Sequence, residues 1–532
     1  MDVQKMRAPE LFRPPIDIPE VSYDQLVRTA AQRHPEKAAI KYYDLVLTYR
    51  EAISMINSIA NGLHDIGLRK GDRLCIYTAN RPEFILTFIA AASLGVVVSP
   101  VNPSYKEREL AHQLEDSEAV AILIQRELVP IFQLVRSQHE LPHLKHILVT
   151  GIDIPEHLEG AETFAALLRR SSPRYQQYDP VTPDDLLALP YSSGTTGLPK
   201  GTMLTHRNLV SNNIQFLTAL QPTDADTALL FLPFYHIYGI MLTGSFLACG
   251  GTQVIMERFD LLQALELCEK HAVTYVFVVP PIVLALAHAP IDLSKLKTVR
   301  YILSGAAPMP PEPARQLQEK TGIITLQGYG LTEASPLTHA QPKDPALIRL
   351  ESIGLLTHNT EQKIVDLETG ERELPPGEDG ELIIRGPQVM QGYWKAPEET
   401  AKVLRNGWLY TGDIGHVDED GYTYIVDRKK EMIKYKGFSI APAEVEALLL
   451  EHPAVGDAAV IGIPDKEAGE LVKGFIVPRR GQQANPEAIM AFVNSRLAGY
   501  KKIHHLEIID AIPKNASGKI LRRVLKERAQ NA

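Results

Sequence analysis

Tyr191-Ser-Ser-Gly-Thr-Thr-Gly-Leu-Pro-Lys-Gly201 combines glycines, hydroxyl side chains and one lysine in a single short loop. Glycine lets backbone N–H groups face an anion without interference from Cβ, hydroxyls add donors, and Lys200 adds a mobile positive charge. The apolar run 186–189 predicts a buried strand before the loop, and a helix is predicted to start near Thr205. Since strand, glycine loop and helix often hold phosphates in that order, the stretch predicts a phosphate-binding loop in an α/β fold.

This loop does not have the spacing of the P-loop. That motif has Gly, four residues and then Gly-Lys-Ser/Thr, and counting from Gly194 puts Pro199 at the position of the second glycine. Clusters of Gly, Ser and Thr also occur in ordinary loops. Taken alone, the loop therefore indicates phosphate without naming a reaction.

The composition is that of a soluble globular protein. At about 150 residues per domain, the 532 residues predict two to four domains. The net charge of −9 argues against a general nucleic-acid binder, which is more often basic. Cys75, Cys249 and Cys268 are far apart, match no metal-binding spacing and are expected to be reduced.

No targeting signal is evident. Residues 1–20 mix charges and prolines without the apolar segment of a signal peptide, and the C-terminus is not a peroxisomal address. The most apolar stretch, Phe84–Val101, is interrupted by polar residues and is ended by proline, so it predicts a buried helix followed by a strand. We expect a cytoplasmic protein, monomer or homodimer, with at most peripheral membrane contact.

The pattern along the chain predicts two domains. Apolar runs alternate with amphipathic segments over residues 36–340, as in parallel sheets covered by helices. Residues 350–426 show short strands and turn signals, and a charged run follows Asp427. We therefore expect an α/β protein: a large N-terminal domain (1–427) of stacked α/β subdomains with a small β-rich subdomain, a hinge near Lys430, and a smaller mobile α+β C-terminal domain (428–532). The predicted strands are 73–77, 120–124, 147–150, 273–279 and 298–303; the predicted helices are 22–33, 49–66, 261–271 and 312–321.

Two further segments suit a nucleotide. In Tyr329-Gly-Leu-Thr-Glu333 the ring can stack on a base, and the carboxylate can hold Mg²⁺ beside phosphates. In Tyr410-Thr-Gly-Asp413 the carboxylate can accept hydrogen bonds from ribose hydroxyls. Ordinary turns with a capping carboxylate remain an alternative for both.

Two basic segments lie nearer the C-terminus. Asp427–Gly437 contains five cationic side chains, a pattern that usually marks a solvated face. Pro513–Lys519 is rich in turn residues and carries Lys519 on a loop, where lysines are usually exposed. Neither segment identifies a function by itself.

In their order and spacing these five segments resemble the signatures of adenylate-forming enzymes. That family includes acyl-CoA synthetases, 4-coumarate–CoA ligases, beetle luciferases and the adenylation domains of peptide synthetases, and the resemblance covers about residues 20–526. It implies two half-reactions: a carboxylate attacks the α-phosphate of Mg·ATP to give an acyl-adenylate and pyrophosphate, and coenzyme A then displaces AMP. Cations, backbone N–H groups and Mg²⁺ must neutralise the two anions that meet.

The resemblance implies a nucleotide site. The β- and γ-phosphates would bind Ser192, Ser193, Gly194, Thr195, Thr196, Gly197 and Lys200. Adenine would lie between Gly305, Ala306 and Ala307 on one face and Gly328 and Tyr329 on the other. Thr332 would donate to the α-phosphate and Glu333, with Thr195, would bind Mg²⁺. The ribose would meet Asp413 and Arg428, with Ile425 also at the nucleotide.

The same resemblance implies a catalytic lysine that moves. Lys519 would bridge the substrate carboxylate and the α-phosphate, a task that suits a flexible point charge. Rotation about the hinge would then withdraw Lys519 and bring Lys434, Lys436, Gly437 and Phe438 to the coenzyme A tunnel. His236 would lie beside the substrate carboxylate and orient it, because that carboxylate is already ionised at pH 7.

The substrate is predicted to be an apolar acid. The segment Phe231–Met256, which should line the acyl pocket by resemblance, contains no Asp or Glu to pair with the ammonium of an amino acid. Gly330 stands where acetate-activating relatives carry a tryptophan that blocks the pocket. We expect a medium- or long-chain fatty acid; an aryl acid such as 4-coumarate, a luciferase-like enzyme and a non-catalytic binding protein are the alternatives. The predicted lining is Ile240, Gly305, Gly328, Gly330, Pro336 and Leu337.

Overall fold

The computed structural model describes residues 14–151, 153, 158–192, 199–288, 291–436, 438–515 and 518–530. Its strands are β1 (Ala38–Tyr42), β2 (Leu45–Thr48), β3 (Arg73–Tyr77), β4 (Val97–Pro100), β5 (Ala121–Ile124), β6 (His146–Val149), β7 (Ala161–Thr163), β8 (Leu186–Ala188), β9 (Tyr191–Ser192), β10 (Lys200–Thr205), β11 (Thr227–Leu230), β12 (Thr252–Ile255), β13 (Tyr275–Val278), β14 (Tyr301–Ser304), β15 (Ile324–Gly330), β16 (Leu337–Ala340), β17 (Leu355–Leu356), β18 (Glu361–Val365), β19 (Gly380–Arg385), β20 (Gly392–Tyr393), β21 (Leu404–Arg405), β22 (Trp408–Val417), β23 (Thr423–Arg428), β24 (Ile433–Tyr435), β25 (Phe438–Ile440), β26 (Val455–Asp465), β27 (Gly469–Pro478) and β28 (His505–Ile508).

The α-helices alternate with these strands along the N-terminal region. They are α1 (Tyr23–Arg33), α2 (Tyr49–Asp65), α3 (Pro82–Leu94), α4 (Glu107–Asp116), α5 (Val129–Gln138), α6 (Phe164–Arg170), α7 (His206–Leu220), α8 (Ile237–Ala248), α9 (Leu261–Lys270), α10 (Pro280–His288), α11 (Pro311–Thr321), α12 (Pro397–Val403), α13 (Pro442–Glu451), α14 (Pro486–Asn494) and α15 (Arg522–Gln530).

Two large sheets form the N-terminal region. One has the strand order β17-β16-β15-β14-β13-β11-β12-β1-β2, and the other has the order β20-β10-β8-β4-β3-β5-β6-β7, with parallel pairing at the centre of each. Helix α3 packs on β4 of the second sheet, α8 packs on β11 and β12 of the first, and α1 contacts both helices. Every residue of α8 and nearly all of α3 is buried, as expected for helices enclosed between layers. The α/β prediction is confirmed.

The rest of the chain forms two smaller sheets. The first has the order β18-β19-β22-β21 with β23 on β22, and the second has the order β25-β24-β27-β26 with β28 on β27. The second sheet packs with α13 and α14 around its own apolar core, which includes Val445, Val460 and Ile489. Because β23 ends at Arg428 and β24 begins at Ile433, the segment between the two sheets contains Lys430. The predicted hinge lies in this segment and stays a prediction.

The context of the glycine-rich loop differs from the prediction. The loop joins β9 to β10 as an antiparallel hairpin, with Lys200 opposite Ser192 and Gly201 opposite Tyr191. Helix α7 begins only after β10, and the side chains of Thr205 and Asn208 cap its first turn. The predicted strand before the loop and the helix start near Thr205 are confirmed, whereas strand β10 between the loop and the helix was not predicted. A capping box satisfies the amides at the start of this helix.

Most predicted elements match closely, and β14 is the main offset, beginning at Tyr301 where a strand over 298–303 was predicted. Phe84–Val101 contains helix α3 followed by β4, as predicted. Within the described residues, none of the helices has the length and apolar character needed to cross a bilayer. All three cysteines are free, and Cys75 and Cys268 are buried.

Two histidines are fully buried in the N-terminal region. The backbone N–H of Tyr23 donates to His206 Nδ1 at 3.0 Å, and His339 Nε2 lies 2.7 Å from Gln362 Oε1. Burial lowers the pKa of each imidazole from 6.5 to about 4. Both side chains are therefore neutral at pH 7.

These histidines predict acid instability. The unfolded chain protonates them below about pH 6.5, whereas the folded chain resists protonation until about pH 4. We expect the free energy of unfolding to fall as the pH falls through this window, by up to about 3 kcal/mol per histidine. Urea midpoints between pH 7 and 4.5 measure the fall. It should be smaller in His206→Gln than in the wild type, and equal falls would contradict this origin.

Candidate active site

The predicted phosphate end of the site starts at the pairing of β9 with β10. Lys200 is the first residue of β10, and its ammonium lies 5.7 Å from the centre of the Tyr393 ring on the neighbouring strand β20. The Tyr393 hydroxyl donates to Glu333 Oε1 at 2.7 Å. Tyr393 thus contacts the predicted metal-binding carboxylate through its hydroxyl and lies near the predicted phosphate-binding lysine with its ring. The predicted residues Ser193, Gly194, Thr195, Thr196 and Gly197 and the side chain of Ser192 lie outside the described residues.

Glu333 is compatible with Mg²⁺. Among the described residues, no group of three or more His, Cys, Asp or Glu side chains could hold a metal ion. Mg²⁺ is commonly held by one or two carboxylates together with substrate phosphates and water, so a single carboxylate at the phosphate end fits. When bound, the ion would neutralise phosphate charge. Thr195, the second predicted ligand, lies outside the described residues.

The residues predicted to bind ribose meet where β22 pairs with β23. Asp413 and Arg428 are directly opposite each other in this pair, and Asp413 Oδ1 lies 3.0 Å from Arg428 Nε. The Tyr329 hydroxyl donates to Asp413 Oδ2 at 2.5 Å. Burial, with Asp413 acting in the same direction, raises the pKa of Tyr329 well above its ordinary value, so the phenol remains a donor. Ile425, three residues before Arg428 on β23, is partly buried against the main core.

The predicted adenine-binding residues lie at the carboxyl ends of neighbouring parallel strands. Gly305 follows β14, and Gly328 lies near the end of β15, which pairs with β14. This is the edge at which open α/β sheets bind ligands. Ala306 is exposed and has φ of +70°, a left-handed conformation that strains a residue with Cβ. Ala307 follows it, half-buried.

Thr332 occupies a short 3₁₀ turn immediately after β15, next to Glu333. The turn spans Thr332–Ala334, and the N–H of Met390 donates to the carbonyl of Glu333 at 2.8 Å. The segment before β20 therefore holds this turn in place beside Tyr393.

Lys519 reaches the ribose end from the C-terminal region. It sits in a tight turn in which Lys514 and Ile520 pair and the Lys519 N–H donates to Asn515 Oδ1 at 2.9 Å. A Cβ added at the adjacent Gly518 would lie 3.5 Å from Pro281, so the turn lies next to helix α10 of the N-terminal region. Burial, and then the guanidinium of Arg428, lower the pKa of Lys519, while carboxylates including Asp413 act in the opposite direction.

The base of this turn is held by a buried ion cluster. Arg522 Nη1 lies 2.9 Å from Glu431 Oε2, and Arg522 Nη2 lies 2.6 Å from Glu446 Oε1. All three side chains are at most 14% exposed, so the contacts are shielded from solvent. Glu431 follows the predicted hinge directly, which ties the Lys519 turn to the hinge segment.

The described residues that were predicted for the thiol half-reaction lie on or next to strands β24 and β25. Lys434 and Lys436 are exposed on β24 and the turn after it, and the Phe438 ring stacks on Tyr500 at 4.6 Å. Lys436 acts on the pKa of Asp465 and of His504, both in the C-terminal region. The structure thus places Lys519 beside Arg428 and Asp413, and places Lys434, Lys436 and Phe438 on or next to β24 and β25. Gly437 lies outside the described residues.

His236 caps the start of α8. Its Nδ1 accepts from the backbone N–H of Tyr238 at 3.3 Å, and burial lowers its pKa from 6.5 to about 4. The imidazole is neutral at pH 7, in keeping with an orienting role. The Tyr238 ring lies against Gly305, where an added Cβ would be 3.1 Å from Cε1. Through Tyr238, the start of α8 that His236 caps therefore lies next to the end of β14.

The predicted acyl region is apolar, and the backbone packs closely around Gly330. Ile240 and Leu337 are buried, and α8 contains no charged residue. A Cβ added at Gly330 would lie 2.1 Å from the carbonyl oxygen of Pro336. The close approach of the Pro336 backbone favours glycine at this position. The expectation that Gly330 leaves the acyl pocket open stays a prediction.

Sequence reasoning missed four side chains around the site: Tyr393, Glu399, Glu431 and Arg522. Glu431 and Arg522 lie inside or next to segments that were singled out, so an opposite-charge pair between those segments was a possible signal. Tyr393 and Glu399 lie in a stretch that carried no recognised motif. Only the pairing of β20 with β10 brings them to Lys200.

Comparison with known proteins agrees with this architecture. The profile of AMP-binding enzymes matches residues 27–394, and that of the AMP-binding enzyme C-terminal domain matches residues 444–519. A 4-coumarate–CoA ligase of Nicotiana tabacum is 40% identical over 494 residues, 90% of this chain and 89% of the relative. A long-chain-fatty-acid–CoA ligase of Bacillus subtilis is 36% identical over 547 residues, 97% of this chain and 96% of the relative. The crystal structure of an anthranilate–CoA ligase in complex with anthranoyl-AMP has a TM-score of 0.89 at 26% identity and covers 99% of both chains.

Proposed function

The chain belongs to the AMP-binding enzyme family of adenylate-forming acid–CoA ligases, and from that membership we propose that it activates a medium- or long-chain fatty acid as acyl-adenylate and transfers the acyl group to coenzyme A. The reaction consumes ATP and releases pyrophosphate and AMP. The apolar, acid-free segment around α8 is the observation that carries the choice of substrate.

In the first half-reaction the residues act mainly on charge and orientation. Lys200 holds the β- and γ-phosphates, Thr332 donates to the α-phosphate, and Glu333 would hold Mg²⁺, which would neutralise phosphate charge. Lys519 contacts both the substrate carboxylate and the α-phosphate, which offsets the repulsion between them. The neutral His236 orients the carboxylate. The bond from the carboxylate oxygen to the α-phosphorus forms as the bond to pyrophosphate breaks.

In the second half-reaction we propose that the C-terminal domain rotates about Lys430. Its support is that Lys519 stands in a turn beside Arg428 and Asp413, whereas Lys434, Lys436 and Phe438 stand on or next to β24 and β25. Rotation would withdraw Lys519 and bring Lys434, Lys436, Gly437 and Phe438 to the coenzyme A thiol. The thiol sulfur then attacks the acyl carbonyl, and the bond to AMP breaks. Such exchange of domain faces assembles two sites in turn.

The substrate choice rests on the cost of burying polar groups. Every residue of α8 is buried and none is charged, so a substrate ammonium or second carboxylate there would lack a partner. An aliphatic chain needs no partner, and each buried methylene stabilises binding by about 0.8 kcal/mol. In an extended apolar site the affinity for the acid therefore rises with the length of its chain.

An aryl acid is the second candidate. Relatives named 4-coumarate–CoA ligase recur among the matches, at up to 40% identity. The Tyr238 ring beside Gly305 would also offer a flat surface to an aromatic substrate. This alternative shares the nucleotide chemistry and differs only at the acyl end.

Carboxylate-dependent ATP–pyrophosphate exchange tests the choice. Saturated acids from six to eighteen carbons and 4-coumarate should be compared at equal ATP, followed by thioester formation with coenzyme A. We expect kcat/KM to rise with chain length by up to about fourfold per methylene, as 0.8 kcal/mol predicts, before the pocket is filled. A flat or reversed trend with preference for 4-coumarate would replace the fatty-acyl assignment with the aryl one.

A further inference from the structure

Lys200 already has an anionic partner within the protein. Its ammonium lies 2.5 Å from Glu399 Oε2, and the other oxygen of the same carboxylate contacts Lys402. The hydrogen bond from Lys200 is the largest cause that lowers the pKa of Glu399 to about 2, with Lys402 acting in the same direction. The carboxylate is therefore ionised throughout the pH range in which an enzyme works.

The position of Glu399 relative to Lys200 is fixed by backbone contacts. Tyr393 of β20 pairs with Thr202 of β10, and the Trp394 N–H donates to the Gly201 carbonyl at 2.8 Å. Helix α12, which carries Glu399, is tied to the same strand because the Tyr393 N–H donates to Thr400 Oγ1 at 2.8 Å. Helix α12, with Glu399, is thus tied to strand β20, whose Tyr393 ring lies next to the Lys200 ammonium.

One ammonium cannot serve the carboxylate and the phosphates equally. If Lys200 holds the β- and γ-phosphates, Glu399 must release it when ATP binds and can recapture it when pyrophosphate leaves. We propose that Glu399 is a positioning residue that competes with these phosphates for Lys200, weakening ATP binding and speeding pyrophosphate release. This inference rests on the proposed function of Lys200.

The expected size of the effect follows from exposure. The Lys200 and Glu399 side chains are 31% and 36% exposed, so solvent screens their attraction. Ion pairs of this kind are weak, and ATP with several charges displaces the carboxylate readily. Loss of the competitor should therefore change phosphate affinity by a few-fold.

The matched variants are Glu399→Gln and Glu398→Gln. Glu398 stands next to Glu399 in the first turn of α12 and is exposed, so its replacement makes the same charge change without touching Lys200. In Glu399→Gln we expect the KM for ATP and the inhibition constant of pyrophosphate each to fall about three- to fivefold, with the KM for the acid unchanged. In Glu398→Gln both constants should stay near the wild-type values.

Three outcomes would overturn the inference. They are unchanged or raised constants in Glu399→Gln, an equal shift in Glu398→Gln, and a shift from Glu399→Gln that persists when Lys200 is replaced by methionine. Acid-dependent ATP–pyrophosphate exchange by the wild-type protein separates this failure from that of the proposed function. If exchange is present and Glu399→Gln behaves as wild type, only the competition is wrong; if exchange is absent, the proposed function itself fails.

Discussion

Lys519→Ala is expected to abolish acyl-adenylate formation while thioester formation from supplied acyl-adenylate continues near the wild-type rate. Lys519 is the cation that the C-terminal region inserts beside Arg428 and Asp413. Its loss removes the charge that offsets repulsion between the carboxylate and the α-phosphate, and single donors to developing charge contribute on the order of 10²- to 10³-fold. We therefore expect at least that loss in ATP–pyrophosphate exchange.

Lys514→Ala is the matched control for this variant. Lys514 belongs to the same turn, but its ammonium lies 2.7 Å from Asp457 Oδ2 within the C-terminal region. Exchange should remain within a few-fold of wild type in this control. A Lys519→Ala protein that adenylates at the wild-type rate, or one that loses both half-reactions equally, would refute the assignment of Lys519 to the first step alone.

Elements with local signals could be predicted from the sequence. Helix α2 was expected over 49–66 and spans Tyr49–Asp65, because its apolar spacing is regular and Thr48 and Glu51 form a capping box at its start. Strand β3 matches residue for residue because a short apolar run between polar turns has one interpretation. Such signals depend on neighbours within a few residues, all of which are visible in the chain.

The hairpin of the glycine-rich loop could not be predicted in the same way. Strand β10, Lys-Gly-Thr-Met-Leu-Thr, has little apolar alternation and forms because β9, β8 and β20 pair with it. These partners are set by tertiary structure, which overrides the local propensity. The helix after this strand begins at His206, where the sequence predicted it, because its capping box is a local signal.

The residues of the candidate site also fall into those with a local sequence signal and those without one. Asp413, Arg428, Tyr329 and Lys519 were singled out from their segments, and the structure adds that two sheets and the C-terminal turn bring them together. Glu399 gave no signal, because its importance derives from contact with Lys200, about two hundred positions earlier in the chain. The contact of Gly330 with the carbonyl of Pro336 was likewise invisible in the sequence, because the two meet only where β15 and β16 pair.

Asp413→Asn is expected to weaken nucleotide binding by roughly 100-fold with little change in the KM for the acid. Asp413 is 4% exposed at its side chain and holds Arg428 and the Tyr329 hydroxyl at once. Hydrogen bonds to a charged group contribute about 1.5–3 kcal/mol each, and the amide loses both the charge and one acceptor oxygen. The ribose hydroxyls and Arg428 would then compete for a single neutral oxygen.

Calorimetric titration with AMP separates this effect from chemistry, because AMP reports the ribose contacts without the β- and γ-phosphates that we propose Lys200 binds. Asp418→Asn is the matched control: the same exchange of carboxylate for amide on the same β22–β23 hairpin, where Asp418 pairs with Arg349 away from the nucleotide. We expect its affinity for AMP to match that of the wild type. Since truncating one partner of a buried pair also destabilises the fold, thermal unfolding must show that Asp413→Asn is folded at the titration temperature. A folded Asp413→Asn that binds AMP as tightly as the control would remove Asp413 from the ribose site and leave its contact with Arg428 a purely structural one.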